Sequence, residues 1–169
     1  MLIRDSLKKV FCMISLANSL PEPNSIIKED LQQIAYSSAD LWAQLDGKSV
    51  MVTGGGGFLA AYLIKALLSI ARFNHINIRV ICVARTIKSV EARLSAWINQ
   101  YDLSIYIHDI ATPIKEDFPR ADLIIHAASQ ASPKYYGVDP VGTLLANSAG
   151  TMYLLEHAVK TQSRTLPFF

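Results

Sequence analysis

The stretch Val50-Met51-Val52-Thr53-Gly54-Gly55-Gly56-Gly57-Phe58-Leu59-Ala60-Ala61-Tyr62-Leu63 leaves this chain few possible architectures. An apolar run of strand type ends in four glycines, and a helical pattern begins at once. A strand that feeds a glycine turn and then a helix lets the backbone approach an anion closely. The first N–H groups and the positive dipole end of the helix then face the charge. Gly54, Gly57 and Ala60 have the spacing G-x-x-G-x-x-A. The first position permits the turn, the second the close approach of a phosphate, and the small third one tight helix–strand packing. A phosphate loop of the G-x-x-x-x-G-K-[ST] type is a poor rival. Gly47-Lys48-Ser49 precedes the strand, and Trp42 stands where the leading glycine belongs.

The rest of the chain alternates between the two periodicities. Strands are expected at 49–53, 77–84, 103–108 and 121–127. A helix at 57–71 would turn Leu59, Leu63, Ala66, Leu67 and Ile70 inward, and one at 87–100 would carry Val90, Leu94 and Trp97 on one side. A single long helix at 142–160 would carry Leu145, Met152, Leu155 and Val159 on one face. This order predicts an α/β fold, a Rossmann-type doubly wound parallel sheet that stops after about four strands. Residues 1–47 read as a helical N-terminal extension and 48–169 as the dinucleotide-binding unit. Within the extension, Pro21-Glu22-Pro23-Asn24 is a break. Ser25 is expected to cap a helix bearing Ile27, Leu31 and Ile34. Ser38 is expected to cap a short helix with Leu41, Trp42 and Leu45 before the Asp46-Gly47 turn.

Composition narrows the function classes. Of the 169 residues, 51% are hydrophobic and 18% charged, which fits a packed sheet and not a disordered chain. A net charge of +2, with the basic residues scattered, gives no argument for nucleic acid. Two cysteines, Cys12 and Cys82, make no disulfide framework, so a reducing cytoplasm is expected. No apolar run reaches the length of about 18 residues that a membrane span needs. Arg4, Lys8 and Lys9 before the apolar 10–16 segment faintly resemble a signal peptide. The short apolar part and Asp5 favour an amphipathic helix instead. The histidines at 75, 108, 126 and 157 have no metal-ligand spacing.

Several residues sit where an open α/β sheet binds ligands. Arg85 ends the second strand at the position where NAD sites usually place an acidic residue, and it suits a 2′-phosphate, as in NADP; otherwise it is a solvated arginine at a strand end. Asp109 suits an adenine amino group; otherwise it caps the next turn. His126 reads as a core histidine. Ala127-Ala128-Ser129 is small enough for a nicotinamide ribose to rest against the backbone. The polar-aromatic stretch from Gln130 to Pro140 reads as the lining of a pocket. Asn147 sits in a helix that it would normally disfavour, which a structural or cofactor-linked hydrogen bond would explain.

Taken together, these motifs resemble the extended short-chain dehydrogenase/reductase family, the NAD-dependent sugar-nucleotide epimerases and dehydratases. Thr53-Gly54-Gly55-Gly56-Gly57-Phe58-Leu59 matches that family's T-G-G-x-G-F-[IL], and Asp109-Ile110 its D-[IL]. Ile125-His126-Ala127-Ala128 resembles its fourth-strand motif. Asn147-Ser148-Ala149-Gly150-Thr151 through Ala158 resembles its N-x-x-G-T…L-L-E-A-A. Within the family, Ala131-Ser132-Pro133 through Asp139-Pro140 and Thr143 is most similar to UDP-glucuronate decarboxylases and dTDP-glucose 4,6-dehydratases. With the residue-level reading, the resemblance implies NAD or NADP held by Gly54, Gly57, Phe58, Leu59, Arg85, Asp109, Ile110, Ala127, Ala128, Ser129 and Asn147. It implies a UDP- or dTDP-linked sugar near Ser132 and Lys134, and transient hydride transfer at sugar C4. The family's catalytic Tyr-x-x-x-Lys is missing: no tyrosine here has lysine four residues on. Arg164 to Phe169 resembles the opening of the family's fifth strand, with the catalytic serine or threonine and the substrate domain expected after it. An apolar edge at Phe168 and Phe169 would favour a homodimer.

Overall fold

The computed structural model describes residues 20–99, 102–129 and 137–167. The expectations for 1–19, for Ser132 and Lys134, and for the edge at Phe168 and Phe169 lie outside those residues. In chain order the elements are α1 (Ser25–Ser37), α2 (Ala39–Trp42), a 3-10 turn (Ala43–Leu45), β1 (Lys48–Thr53), α3 (Phe58–Asn74), β2 (Ile78–Ala84) and α4 (Ile87–Leu94). There follow β3 (Leu103–Ile107), β4 (Leu123–His126), α5 (Pro140–Asn147), α6 (Ala149–Thr161) and β5 (Arg164–Pro167). The strands form one parallel sheet in the order β3-β2-β1-β4-β5. The chain works outward from β1 to β3, then crosses back to β4. The carboxyl ends of β1 and β4 therefore flank the point where strand order reverses.

Side-chain alternation along the central strands builds two cores. Val50, Val52, Val80 and Cys82 point to one face, where α3, α4 with the turn after it, and α1 cover them through Ile64, Leu68, Leu94, Trp97 and Leu31. Met51, Ile81, Val83 and Ile124 point to the other, against Ile110, Phe118, Leu154 and Ala158. Burial on both faces is why these strands read as near-continuous apolar runs. At the amino ends of β1 and β4, the Asp122 carboxylate accepts from both the backbone N–H and the hydroxyl of Ser49, at 2.8 and 2.7 Å. Those bonds hold its pKa below the usual carboxylate value.

Three local expectations are corrected. Asn24, not Ser25, caps α1: its side chain accepts from the N–H groups of Ile26 and Ile27 at 3.0 and 3.2 Å. Asn24 has the extended backbone that a cap needs, and Ser25 is already helical. Leu59 is 47% exposed, because the stripe that α3 buries is set by Ala60, Ile64, Leu67, Leu68 and Ile70. The helix expected at 142–160 is two helices, which meet at Ser148 (φ −100°, ψ −69°). The hydroxyls of Ser148 and Thr151 donate to the carbonyls of Leu144 and Asn147 at 2.6 Å each. Such back-bonding bends helices. The apolar stripe of this stretch faces outward, with Leu145, Met152, Leu155 and Val159 between 41% and 83% exposed. Gly150, Leu154 and Ala158 are the residues that pack inward.

The N-terminal segment lies on α3. Leu31 and Ala35 are fully buried in the first core, and the buried Glu22 carboxylate pairs with Lys65 of α3. Removing one partner of a buried pair leaves the other charge without compensation. Lys65→Ala is therefore expected to destabilise the chain by about 3 kcal/mol, with Lys65→Met and Glu22→Gln together recovering much of the loss. Urea midpoints of the three proteins check this.

Candidate functional site

The site grows from the carboxyl ends of β1 and β4. Thr53 and His126 are register partners in that parallel pair and are both buried. The chain leaves β1 through Gly54, whose φ of +76° is a left-handed conformation that glycine adopts without strain. A Cβ at position 54 would lie 2.6 Å from the Ala127 carbonyl oxygen and 2.7 Å from the Ala128 Cα. The glycine turn and the chain after β4 are thus in direct backbone contact. Gly57 N–H donates to the Gly54 carbonyl at 2.7 Å and closes the turn, and Gly57 caps α3 with no side chain. The first intrahelical bond at this end runs from Ala61 N–H to the Gly57 carbonyl. By helix geometry, the N–H groups of Phe58, Leu59 and Ala60 have no partner within α3.

The Thr53 hydroxyl fastens the two loops. It accepts from the backbone N–H groups of Ala127 and Ala128 at 3.1 and 3.2 Å and lies 2.8 Å from His126 Nδ1. His126 Nε2 lies 3.3 Å from the Ala146 carbonyl, near the end of α5. On the other side of the turn, Arg93 Nε donates to the Gly56 carbonyl at 3.1 Å, and its guanidinium lies 5.9 Å from the centre of the exposed Phe58 ring. Gly56 packs on Ser89, and Gly55 on the Cys82 sulfur. Burial pushes the Cys82 thiol up to about 12.

Of the residues singled out from sequence, Gly54, Gly57, Ala127 and Ala128 meet at the switch point, with Phe58, Leu59 and Ser129 on its rim. Arg85 is exposed directly after β2, next to Thr86, which caps α4 through Ser89 N–H. Asp109 is exposed and caps a turn: its Oδ1 accepts from Ala111 N–H at 3.1 Å. Ile110 is buried, and Gly150 of α6 packs against it. Asn147 is the last residue of α5, at the helix break and not early in a long helix. Asp139 caps α5 by accepting from Gly142 N–H at 2.9 Å, with Pro140 in the first turn. Sequence reasoning missed Arg93 and Ser89, whose spacing on α4 marks them only as a solvent face. Thr53 does end a strand and His126 is a core histidine with both ring nitrogens partnered, as expected, but their pairing with each other was not foreseen. The signal that joins them is their identical place at the ends of two strands that pair. Among the described residues, no group of three or more His, Cys, Asp or Glu is placed to hold a metal ion.

The electrostatics of the site favour neutral imidazole. Burial holds the pKa of His126 below the usual histidine value, with the Ala146 carbonyl opposing. Burial also lowers His157, against its bond to the Pro119 carbonyl and with help from Lys160 and Arg120. Both groups take up protons more readily when the chain is unfolded. Their contribution to stability is therefore complete above the unfolded value of about 6.5 and is lost as pH falls below it through the folded values. Urea midpoints are expected to drop between pH 7.5 and 5.5, and His157→Asn should reduce the drop.

Comparison with known proteins agrees with this geometry. A model of the NAD dependent epimerase/dehydratase family matches residues 50–169. The chain is similar to UDP-glucuronic acid decarboxylase 1 of Danio rerio, at 28% identity over 78% of this chain and 29% of that protein. It is also similar to UDP-glucuronic acid decarboxylase 6 of Arabidopsis thaliana, at 32% identity over 69% of this chain and 32% of that protein. The chain thus spans about a third of the length of these curated relatives. Among solved structures, an epimerase from Methanothermobacter thermautotrophicus superposes with a TM-score of 0.59 at 22% identity, covering 86% of this chain and 39% of that one. UDP-N-acetylglucosamine 4-epimerase from Methanobrevibacter ruminantium, solved with UDP-N-acetylmuramic acid, superposes with a TM-score of 0.55 at 19% identity, covering 70% and 36%. These likenesses establish the fold, a Rossmann-like parallel sheet flanked by helices. By the family model that covers its glycine turn, its sheet and its last helix, the chain belongs to the NAD-dependent epimerase/dehydratase family.

Proposed function

We propose that this chain is the dinucleotide-binding portion of an enzyme that epimerises, dehydrates or decarboxylates a UDP- or dTDP-linked sugar. The observation that carries the reading is the close approach at Gly54, where a Cβ would meet the Ala127 carbonyl oxygen at 2.6 Å. There, backbone meets backbone at the reversal point of a parallel sheet, and a helix amino end opens onto it. On this reading Gly54, Gly57 and the first N–H groups of α3, at Phe58 and Leu59, hold the pyrophosphate. Asp109, through the carboxylate oxygen not used in its turn, and Ile110 flank the adenine. Ala127, Ala128, Ser129 and Asn147 line the nicotinamide side, and Ser132 and Lys134 meet the sugar nucleotide. Arg85 meets a 2′-phosphate, which favours NADP over NAD. Bound there, the nicotinamide would take a hydride from sugar C4 and usually return it. The chain's own part is to bind and orient. The unit would comprise residues 48–169 with the helical segment before it as a cover, in the reducing cytoplasm, where Cys82 stays a thiol.

Calorimetric titration with NAD and NADP tests this. Saturable binding of either is expected. Gly54→Ala should abolish it, and a circular dichroism spectrum should show whether that variant still folds. Arg85→Ala should weaken NADP about tenfold, the size of one charge-assisted hydrogen bond, and leave NAD unchanged. The purified chain should leave UDP- and dTDP-sugars unconverted, since it has no Tyr-x-x-x-Lys pair to supply the base. Turnover by the chain alone, or a folded sample that binds neither dinucleotide, overturns the reading.

A second reading, a stand-alone dinucleotide-binding module without catalysis that pairs with a second copy of itself, is favoured by one observation. Val141, Leu144, Met152, Leu155 and Val159 form an exposed apolar stripe along α5 and α6, beside a concavity of about 640 Å³ that Glu156 and Lys160 also line. Such a stripe is a docking face. Glu156 and Lys160, one turn apart, would pair crosswise if a second copy packed antiparallel. Sedimentation should then give twice the 18.7 kDa chain mass, and Leu155→Glu should restore the monomer.

A further inference from the structure

The Thr53–His126 pair has one arrangement of hydrogens that satisfies every partner. The Ala146 carbonyl can only accept, so a bond to it requires the hydrogen of His126 on Nε2. The Thr53 oxygen already accepts from two backbone N–H groups, Ala127 and Ala128. Both its lone pairs are engaged, so its own hydrogen must go to His126 Nδ1, 2.8 Å away, and that nitrogen must be bare. Every donor and acceptor in the chain is then used once. The opposite tautomer would set two hydrogens between Nδ1 and Oγ1 and leave the Ala146 carbonyl facing a lone pair. The imidazolium would also place a hydrogen on Nδ1 and displace one of the backbone N–H groups. Only the neutral form with hydrogen on Nε2 fits.

This chain of bonds joins three segments distant in sequence. Thr53 precedes the glycine turn, Ala127 and Ala128 follow β4, and Ala146 lies one residue before the end of α5. The segment from Ser129 to Gly137, which carries Ser132 and Lys134, leaves from the first anchor, and α5, which follows it, is tied to the second. We propose that His126 is a positioning residue, fixed as the neutral Nε2–H tautomer, that locks both flanks of this substrate-side segment to the dinucleotide cradle. The substrate role of that segment rests on the function proposed above; the lock does not.

The test is long-range proton–nitrogen correlation of the imidazoles in the full chain labelled with 15N-histidine at pH 7.5. The His126 signal is assigned by its loss in His126→Asn. A protonated Nε2 and a bare Nδ1 are expected. Hydrogen exchange then reads the two arms separately. Thr53→Val should speed exchange at Ala127 and Ala128 about tenfold or more, and Thr53→Ser, which keeps the hydroxyl, should restore protection. His126→Asn retains an acceptor near Thr53 but cannot reach Ala146. It should leave the Ala127 and Ala128 amides protected while exchange quickens at Asn147 and Ser148. An Nδ1–H tautomer or an imidazolium at that pH overturns the proposal, and the wild-type spectrum alone decides this if a variant fails to fold. So does a Thr53→Val variant with unchanged exchange. Titration of the same samples with NAD and NADP is a separate readout: absence of binding to the wild-type chain would remove the dinucleotide reading and leave the tautomer result standing.

Discussion

The contact between Gly54 and the backbone of Ala127 and Ala128 is the constraint on which the upper edge of this molecule depends. Two parallel strands can end side by side without their loops touching. Here the loops touch because position 54 has no Cβ and because the Thr53 hydroxyl supplies an acceptor for two N–H groups that the sheet no longer pairs. Buried N–H groups left without a partner cost about 1–3 kcal/mol each, so the hydroxyl is worth more than its single oxygen suggests. With those groups satisfied, the chain after β4 follows the glycine turn closely. The first turn of α3 then opens onto the place where strand order reverses.

The rest of the fold serves to hold β1 still. It is the central strand, paired to β2 and β4 and covered on both faces, with Val50 and Val52 in one core and Met51 in the other. Its amino end is fixed by the Ser49–Asp122 bonds and its carboxyl end by Thr53 and His126. Both fixtures bridge to β4, so the pairing of these two strands is pinned at either end of the ladder. A parallel ladder needs such fixtures more than a hairpin does, since its strands are joined only through a distant crossover.

Much of this was legible in the sequence, and the exceptions share a cause. The strands were readable because burial on both faces leaves unbroken apolar runs, as at 80–84. The glycine turn was readable because its strand–turn–helix context is local. Helix faces were less so. Periodicity shows that Leu145, Met152, Leu155 and Val159 share a side of the final helical stretch, but it does not say whether that side meets the sheet. The small residues Gly150 and Ala158, with Leu154 between them, are what approach it. The break at Ser148 was hidden because back-bonding by serine and threonine leaves an apolar pattern intact. The cap at Asn24 was missed because two adjacent residues can both cap, and backbone conformation selects one. The Thr53–His126 pair was invisible for a different reason. Its partners are 73 residues apart, and only strand register brings them together.

Cys82 gives the molecule an internal reporter. It lies at the centre of β2, fully buried beneath Gly55, with its thiol pushed up to about 12, so neither access nor thiolate is available in the folded sheet. An alkylating reagent can reach the sulfur only when β2 parts from its neighbours. The rate at which Cys82 is labelled therefore measures how often the centre of the sheet opens, without any introduced probe. A ligand that ties the glycine turn to the chain after β4 would slow that labelling from a distance, and the cysteine would record its arrival although it touches nothing but protein.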